Sequence, residues 1–507
     1  MTQIIATISL VVFVAVMVFV GIHSSKKAGT IEGFFLGGRN IGPWITAFAY
    51  GTTYFSAVIF IGYAGMFGWN IGLGSIWIGI GNAIIGSLLA WIILAKRTRR
   101  MTRNLDSRTM PEFFSARYNS RGMKLYAAII IFLFLVPYAA GVYKGLGTMF
   151  SFIFVGASPV TCMLIVAILT GVYLVLGGYV ATSTNDFIQG IIMLFGIVSM
   201  ILILLNRPEV GGFAAAYEKL SNIDPQLVSI TGGASTKFLI TNILLTSFGV
   251  WGLPQMVHKY YAIKDESSIK IATIVSTIFA IFIGCGAYFT GSLSRLFILA
   301  DANGMPDVPG GFDSVIPSLL MKALTDNVFT TVILSIIMLL LLSASMSTLS
   351  SIVLTSSSAV SIDLVQEVHP DIQPKKQMLI MRSLCILFIA LSFLFATINI
   401  SFIVNIMSFS WGVVAGSFIG PFIWGLYSKK ITKIGAWSGM LCGVVIVGGL
   451  LTYNSMTLGF AAAKSMSPFF GVTAMAVSFV IVPIVSSFTK KFSEEHNENV
   501  FKINEQQ

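Results

Sequence analysis

The sequence predicts an all-α polytopic membrane protein of about 13 transmembrane helices, and three observations carry that expectation. Of the 507 residues, 56% are hydrophobic and only 10% are charged, where a soluble domain carries about 25% charged residues. Apolar runs of about 20 residues recur from one end to the other, the length a helix needs to cross roughly 30 Å of hydrocarbon. Between alternate runs the basic residues collect, 24 of the 31 Lys and Arg falling on one side of the map, as cytoplasmic loops do. Soluble enzymes, nucleic-acid binders and disulfide-stapled secreted domains are excluded. Continuous apolar blocks also exclude an outer-membrane barrel, whose strands are short and alternating.

Each span is bounded by charge or by Gly and Pro. Span 1 covers residues 4–22; no basic n-region precedes it and no A-x-A cleavage site follows, so it is expected to be a retained helix. Spans 2 and 3, 43–68 and 72–95, lead into a block of nine basic residues between Lys96 and Lys124. Spans 4, 5 and 6 are expected at 125–150, 159–180 and 185–206, and spans 7, 8 and 9 at 236–257, 268–293 and 327–362. Spans 10 to 13 follow at 378–398, 402–427, 434–452 and 467–488. With the segment after span 1 inside, the N-terminus lies outside and the C-terminus inside the cytoplasmic membrane, as an odd number requires. The four cysteines, Cys162, Cys285, Cys385 and Cys442, fall inside apolar runs without metal-ligand spacing and read as small core residues. No G-x-x-x-x-G-K-[ST] loop is present, so transport against a gradient would draw on an ion gradient rather than on ATP.

Two acidic residues fall within or at the end of spans, Asp186 and Asp363. An intramembrane charge is a functional candidate, yet Asp186 follows the cap-rich run Thr182-Ser183-Thr184-Asn185 and also reads as a helix N-cap. Asp363 reads as solvated at the membrane face. Lys144 is expected to snorkel to the outer interface, with a place along a polar path as the alternative. All four histidines lie at or beyond span ends, so the chain lacks a relay for proton pumping.

Hydroxyls and breaks supply a different chemistry. In span 9, Ser347, Ser350 and Ser351 share one helix face, and hydroxyls joined by freed carbonyls suit a hard monovalent cation. The same hydroxyls could instead bond back to their own helix. Span 2 is interrupted around Gly51, Thr52 and Thr53, and span 7 at Gly249, Gly252 and Pro254, where proline removes a donor and bends the helix. The two spans are five apart and so antiparallel. Paired interruptions in inverted halves point to the binding site of a secondary transporter.

The residues that carry a family resemblance are Phe34-Phe35-Leu36-Gly37-Gly38-Arg39, Thr109-Met110-Pro111-Glu112-Phe113-Phe114 with Arg117-Tyr118, and Gly177-Gly178 followed by Asn185-Asp186-Phe187-Ile188-Gln189-Gly190. Gly252-Leu253-Pro254-Gln255 leading to Ala262-Ile263-Lys264-Asp265, and Met346-Ser347-Thr348-Leu349-Ser350, complete the set. In that order they resemble the sodium:solute symporter family over residues 1–490. The resemblance implies a leucine-transporter-type fold with a 5+5 inverted repeat. Residues 1–42 then hold the first helix and a cytoplasmic loop, and 43–206 the first repeat. An extracytoplasmic loop, 207–235, leads to the second repeat at 236–427; peripheral helices at 428–490 and a cytoplasmic tail at 491–507 follow.

By position, the resemblance implies a first sodium site from the carbonyls of Thr52, Phe55 and Ala344 with the hydroxyls of Ser347 and Thr348. It implies a second from Asp186, Ser347, Ser350 and Ser351, so that one or two sodium ions couple, and it moves Asp186 from cap to ligand. Two departures bear on the solute. Tyr54 stands where proline transporters have an acidic residue and Val250 where they have an aromatic one. Val58 and Ile59 stand where sugar transporters place polar residues. The stretch from Phe248 to Lys264 resembles the pantothenate branch. The expected solute is a small organic carboxylate, pantothenate-like or an amino acid such as proline, met by Thr53, Tyr54, Ser56 and Trp251. The expected function is sodium-coupled import by alternating access in the lipid bilayer, with no nucleic acid and no obligate protein partner. A passive channel and a non-catalytic membrane subunit are the rivals.

Overall fold

The computed structural model describes residues 2–24, 29–154, 156–398 and 402–502. Among them ten helices are long and apolar enough to cross a membrane, or eleven when a pair bent by 47° is counted as one. They are α1 (Thr2–Ser24), α3 (Val58–Asn104), α5 (Arg121–Ile153), α6 (Pro159–Leu205), α9 (Glu266–Leu296), α10 (Val328–Val368), α11 (Pro374–Thr397), α12 (Ile403–Tyr427), α13 (Lys433–Leu458) and α14 (Ser467–Ser487). The bent pair is α7 (Thr236–Gly252) with α8 (Pro254–Ala262). Two further helices matter for the site: α2 (Pro43–Tyr54), which precedes α3 in the chain, and α4 (Met110–Tyr118).

Burial sorts these helices. α10 is the axis of the bundle, packed against α6, α5 and α2 and buried along most of its length. By contrast α1 presents Ile4, Val12 and Phe19 outward, and α6 presents Ile168, Phe195 and Leu202. A solvent of lipid tolerates such a surface, because no apolar side chain there needs covering. Helices α12, α13 and α14 pack on one another, with α12 also against α5 and α7, and the backbones of Gly412 and Gly471 approach so closely that a Cβ on Gly412 would lie 2.7 Å from Gly471.

Two of the long helices cover more than one expected span. Within α3, Gly72 takes φ +67°, and within α6, Gly178 takes φ +54° and ψ −151°. The interruption expected at 181–184 therefore lies earlier. Ser183 and Thr184 bond back to the carbonyls of Tyr179 and Val180 at 2.6 and 2.8 Å, as helix-interior hydroxyls do. Asp186 is consequently not an N-cap but a buried residue inside the helix. The Gly178 conformation is essentially restricted to glycine, and a Cβ there would meet the Phe34 carbonyl oxygen at 2.7 Å. Gly178→Ala is expected to lower stability by about 1–3 kcal/mol. A thermal unfolding midpoint in detergent equal to that of the parent would refute the strain.

Three other expectations change. His258 and Lys259, just beyond the expected end of span 7 at 257, are buried in α8, which carries the helix to Ala262. Asp363 is not solvated: it is fully buried, accepts a 2.8 Å bond from the Thr109 hydroxyl and lies 4.0 Å from the Lys124 ammonium. Lys144 does not simply snorkel, since it pairs with Asp313 at 3.0 Å. The two together line a cavity of ≈ 870 Å³ with Phe312, Phe402 and Thr148. At the opposite end, the basic block is tied down by α9. Glu266 pairs with Arg100 and, at 3.2 Å, with Lys96. Asp265 caps α9 by accepting from the Ser268 N–H at 2.8 Å, and with the Ser267 hydroxyl this holds its carboxyl down at about 2.

Candidate functional site

The site is built from the ends of a broken helix. The break expected around Gly51 lies a turn later: Gly51, Thr52 and Thr53 stay helical, α2 stops at Tyr54, Phe55 leaves the helical region at φ −102° and ψ 94°, and helix resumes after Ala57. In hydrocarbon the freed backbone groups need partners from within the protein. On the donor side, Ser56 Oγ accepts the Val58 N–H at 3.2 Å, and Ser345 Oγ of α10 accepts the Ala57 N–H at 3.2 Å. On the acceptor side, Thr52 O takes the Ser347 hydroxyl at 3.0 Å and the Thr348 hydroxyl at 3.3 Å, and Thr53 O takes Thr348 at 3.0 Å. Both hydroxyl oxygens also lie close to Ala344 O, at 3.0 and 2.9 Å, so each single O–H proton has these carbonyls as alternative acceptors. Three carbonyls and two hydroxyls thus converge between α2 and α10.

Of the residues assigned to the first sodium site, the structure brings Thr52, Ala344, Ser347 and Thr348 into this one cluster. Phe55 is the break residue beside it, its N–H donating to Gly51 O at 3.1 Å. The cluster consists of neutral oxygens alone. That donor chemistry fits sodium, which unwound carbonyls and hydroxyls hold in transporters of broken-helix design.

The second group is arranged differently. Ser350 donates to Ser347 O of its own helix at 3.0 Å. Ser351 shares a 3.0 Å bond with the Thr53 hydroxyl and accepts another, also 3.0 Å, from the Lys259 ammonium. Lys259 Nζ lies 4.0 Å from Asp186 Oδ2, with both side chains 1% exposed. Lys259 is the residue that sequence reasoning missed. In the sequence it stands just past span 7 among other basic residues, and the signal for it is the intramembrane Asp186, which needs a partner.

The second break faces the first. Leu253 is extended at φ −83° and ψ 121°, and Pro254 starts α8. Tyr54 reaches across to α7, donating its hydroxyl to Thr246 O at 2.7 Å. Trp251 donates its indole N–H to Ile85 O at 3.0 Å. Trp411 of α12 stacks on Tyr54 with ring centres 6.5 Å apart, and Tyr138 of α5 meets it edge-on at 5.7 Å. Gly249 makes room for this ring, because a Cβ there would lie 2.8 Å from Trp411. Thr53, Tyr54, Ser56 and Trp251 are all buried around the break. Thr53 points its hydroxyl toward Ser351 and Ser56 uses its own as a cap. Tyr138 and Trp411 were not singled out from the sequence, where aromatic residues in membrane helices give no distinguishing pattern.

A family model described as the sodium:solute symporter family matches residues 34–443. The chain is 27% identical over 489 residues to an osmoregulated proline transporter of Bacillus subtilis strain 168, covering 96% of this chain and 95% of that one. It is 26% identical over 497 residues to a sodium/proline symporter of Staphylococcus aureus strain JH9, covering 96% and 93%. Among solved structures, a sodium-coupled sialic acid symporter in a substrate-bound outward-open state gives a TM-score of 0.76 at 18% identity, over 96% of this chain and 99% of that one. A transporter of the nucleobase-cation-symport-1 family, in a closed conformation with bromovinylhydantoin bound, gives 0.52 at 14% identity, over 92% and 97%. At these identities the two structures speak for a shared transporter fold.

Proposed function

Because the chain belongs to the sodium:solute symporter family, it is a sodium-coupled secondary transporter of the cell membrane and not an enzyme, and we propose that it imports a small organic carboxylate, with proline the first candidate. The observation that carries the coupling is the convergence of Thr52, Thr53 and Ala344 carbonyls with the Ser347 and Thr348 hydroxyls. Thr52, Phe55, Ala344, Ser347 and Thr348 form the first sodium site in this reading. Asp186, Ser347, Ser350 and Ser351 form a second cation site. Thr53, Tyr54, Ser56 and Trp251, with Tyr138 and Trp411, wall the solute site. Proline transport by relatives that span nearly the whole chain supports the solute class. Tyr54 in place of an acidic residue and Val250 in place of an aromatic one keep a pantothenate-like acid as the second candidate.

The architecture proposed with it has 13 crossings. The glycine bends at Gly72 and Gly178 support it, since each divides a helix of 47 residues, about twice what a membrane needs. Residues 43–206 and 236–427 are the inverted repeats, each opening on a broken helix, and 207–235 joins them outside. Residues 1–42, 428–490 and 491–507 are the first helix with its loop, the peripheral helices and the tail. An exterior N-terminus and interior C-terminus follow from the side on which the basic block lies. Alternating access then consists of α2 and α7 with α8 tilting against α10, the hydroxyl–carbonyl cluster holding the halves together. Each sodium that crosses contributes roughly 2.3 kcal/mol per 100 mV of potential.

Thermal unfolding of the purified chain in detergent tests this, with proline, pantothenate and a neutral sugar in sodium and in potassium. Proline is expected to raise the midpoint in sodium alone, since a ligand at 100 times its Kd adds about 2.7 kcal/mol. Equal shifts in potassium would refute the coupling. A shift for the sugar and for neither acid would refute the carboxylate.

A further inference from the structure

We propose that the Lys259 ammonium occupies the second cation site permanently, as a tethered substitute for an ion, so that each transport cycle carries one sodium. This rests on the symport reading and specifies its stoichiometry. Asp186 lies inside α6 with no hydrogen bond to either carboxylate oxygen among the described residues, and the nearest opposite charge is Lys259 Nζ at 4.0 Å. Lys259 also donates to Ser351 Oγ at 3.0 Å and stands 5.1 Å from the centre of the Tyr179 ring. A carboxylate, a hydroxyl and an aromatic face are a surrounding for a cation, and the cation present belongs to the chain.

An ammonium and a sodium ion carry the same charge and seek the same oxygens. A free ion beside Asp186 would bring a second positive charge against Lys259 in a medium that screens poorly, and would compete for Ser351. Charges buried in a membrane protein are balanced in pairs, and this pair is already complete. The lysine also makes the mechanical connection an ion would make. Lys259 of α8 bonds Ser351 of α10, Ser351 bonds the Thr53 hydroxyl of α2 at 3.0 Å, and Thr53 O accepts Thr348 at 3.0 Å. One polar chain therefore joins the tethered cation to the first sodium cluster. The difference is that this cation never crosses the membrane.

The test counts sodium bound to the purified full-length chain by equilibrium dialysis with radioactive sodium, at constant ionic strength in potassium and with no solute. One sodium per chain is expected for the parent, still one for Asp186→Asn, and two for Lys259→Gln, in which Asp186 loses its counter-charge. The paired variant Asp186→Asn/Lys259→Gln, which removes both charges, should return to one. Two sodium ions in the parent falling to one in Asp186→Asn would overturn the proposal and leave symport standing. One sodium in Lys259→Gln would also overturn it, since the freed carboxylate would then not be a cation site. No sodium bound by the parent would overturn symport and this inference together. Should Lys259→Gln fail to fold, the parent and Asp186→Asn counts decide the matter alone.

Discussion

Thr348→Ala raises the sodium concentration that half-saturates transport by tenfold or more, because Thr348 is the hydroxyl on which the cluster turns. Its one O–H has three carbonyls within reach, Ala344 O at 2.9 Å, Thr53 O at 3.0 Å and Thr52 O at 3.3 Å. Removing it deletes one oxygen donor to a cation and leaves a buried carbonyl short of a partner, at about 1–3 kcal/mol. A tenfold change corresponds to about 1.4 kcal/mol, so one lost contact suffices. Ser347→Ala acts on the same carbonyls, and the two substitutions together are expected to remove sodium dependence. Thr348→Ser keeps the hydroxyl and should keep most of the affinity. Sodium titrations of solute-dependent stabilisation or of uptake in proteoliposomes check the series. A half-saturation unchanged in Thr348→Ala would take the cluster out of the sodium site.

Arg117→Ala destabilises the fold by about 3–5 kcal/mol without shifting sodium affinity in the protein that folds. Arg117 is fully buried in α4. Its guanidinium donates Nε to Gly425 O at 3.0 Å and Nη2 to Ser428 O at 2.8 Å, closing the C-terminal end of α12. Those carbonyls are the unpaired ends any helix leaves, and stranding two of them costs about 1–3 kcal/mol each. The rings of Tyr118 and Phe501 lie 5.0 Å from the guanidinium carbon and add a cation–π contribution of roughly 0.5–2 kcal/mol. Arg117→Lys should recover only part of the loss, since an ammonium lacks the fork that serves two carbonyls at once. The measurement is the unfolding midpoint in detergent with the sodium titration of the folded fraction. An unchanged midpoint would show that water or lipid headgroups satisfy those carbonyls instead.

Arg117 illustrates how far a local reading of the chain extends. Its place in Arg117-Tyr118 marked a family motif, but which carbonyls it serves depends on the packing of α4 under α12. Asp363 went the same way: a residue at the end of a long apolar run reads as solvated, and only the approach of Thr109 and Lys124 makes the position a buried one. The N-cap reading of Asp186 fails for a different reason. Its cap-rich neighbours suit a helix start, and Gly178, whose conformation resets the chain direction, supplies that start several residues earlier.

What the sequence determined by itself is what bilayer physics imposes on a chain one segment at a time. Apolar length set the helices, Gly and Pro with hydroxyl neighbours pointed to breaks in spans 2 and 7, which fall at Phe55 and Leu253 while Gly51 and Gly249 stay helical, and helical periodicity placed Ser347, Ser350 and Ser351 on one face. Each of these depends on residues within a few turns of one another. The tertiary structure decided the partnerships: Thr348 with the broken end of α2, Tyr54 with α7, Trp411 with Gly249, and above all Lys259 with Asp186. An unbroken apolar pattern says that a helix is buried without saying against what. A buried charge, however, needs a partner, and for Asp186 only the packing of α8 against α6 and α10 determines which residue answers it.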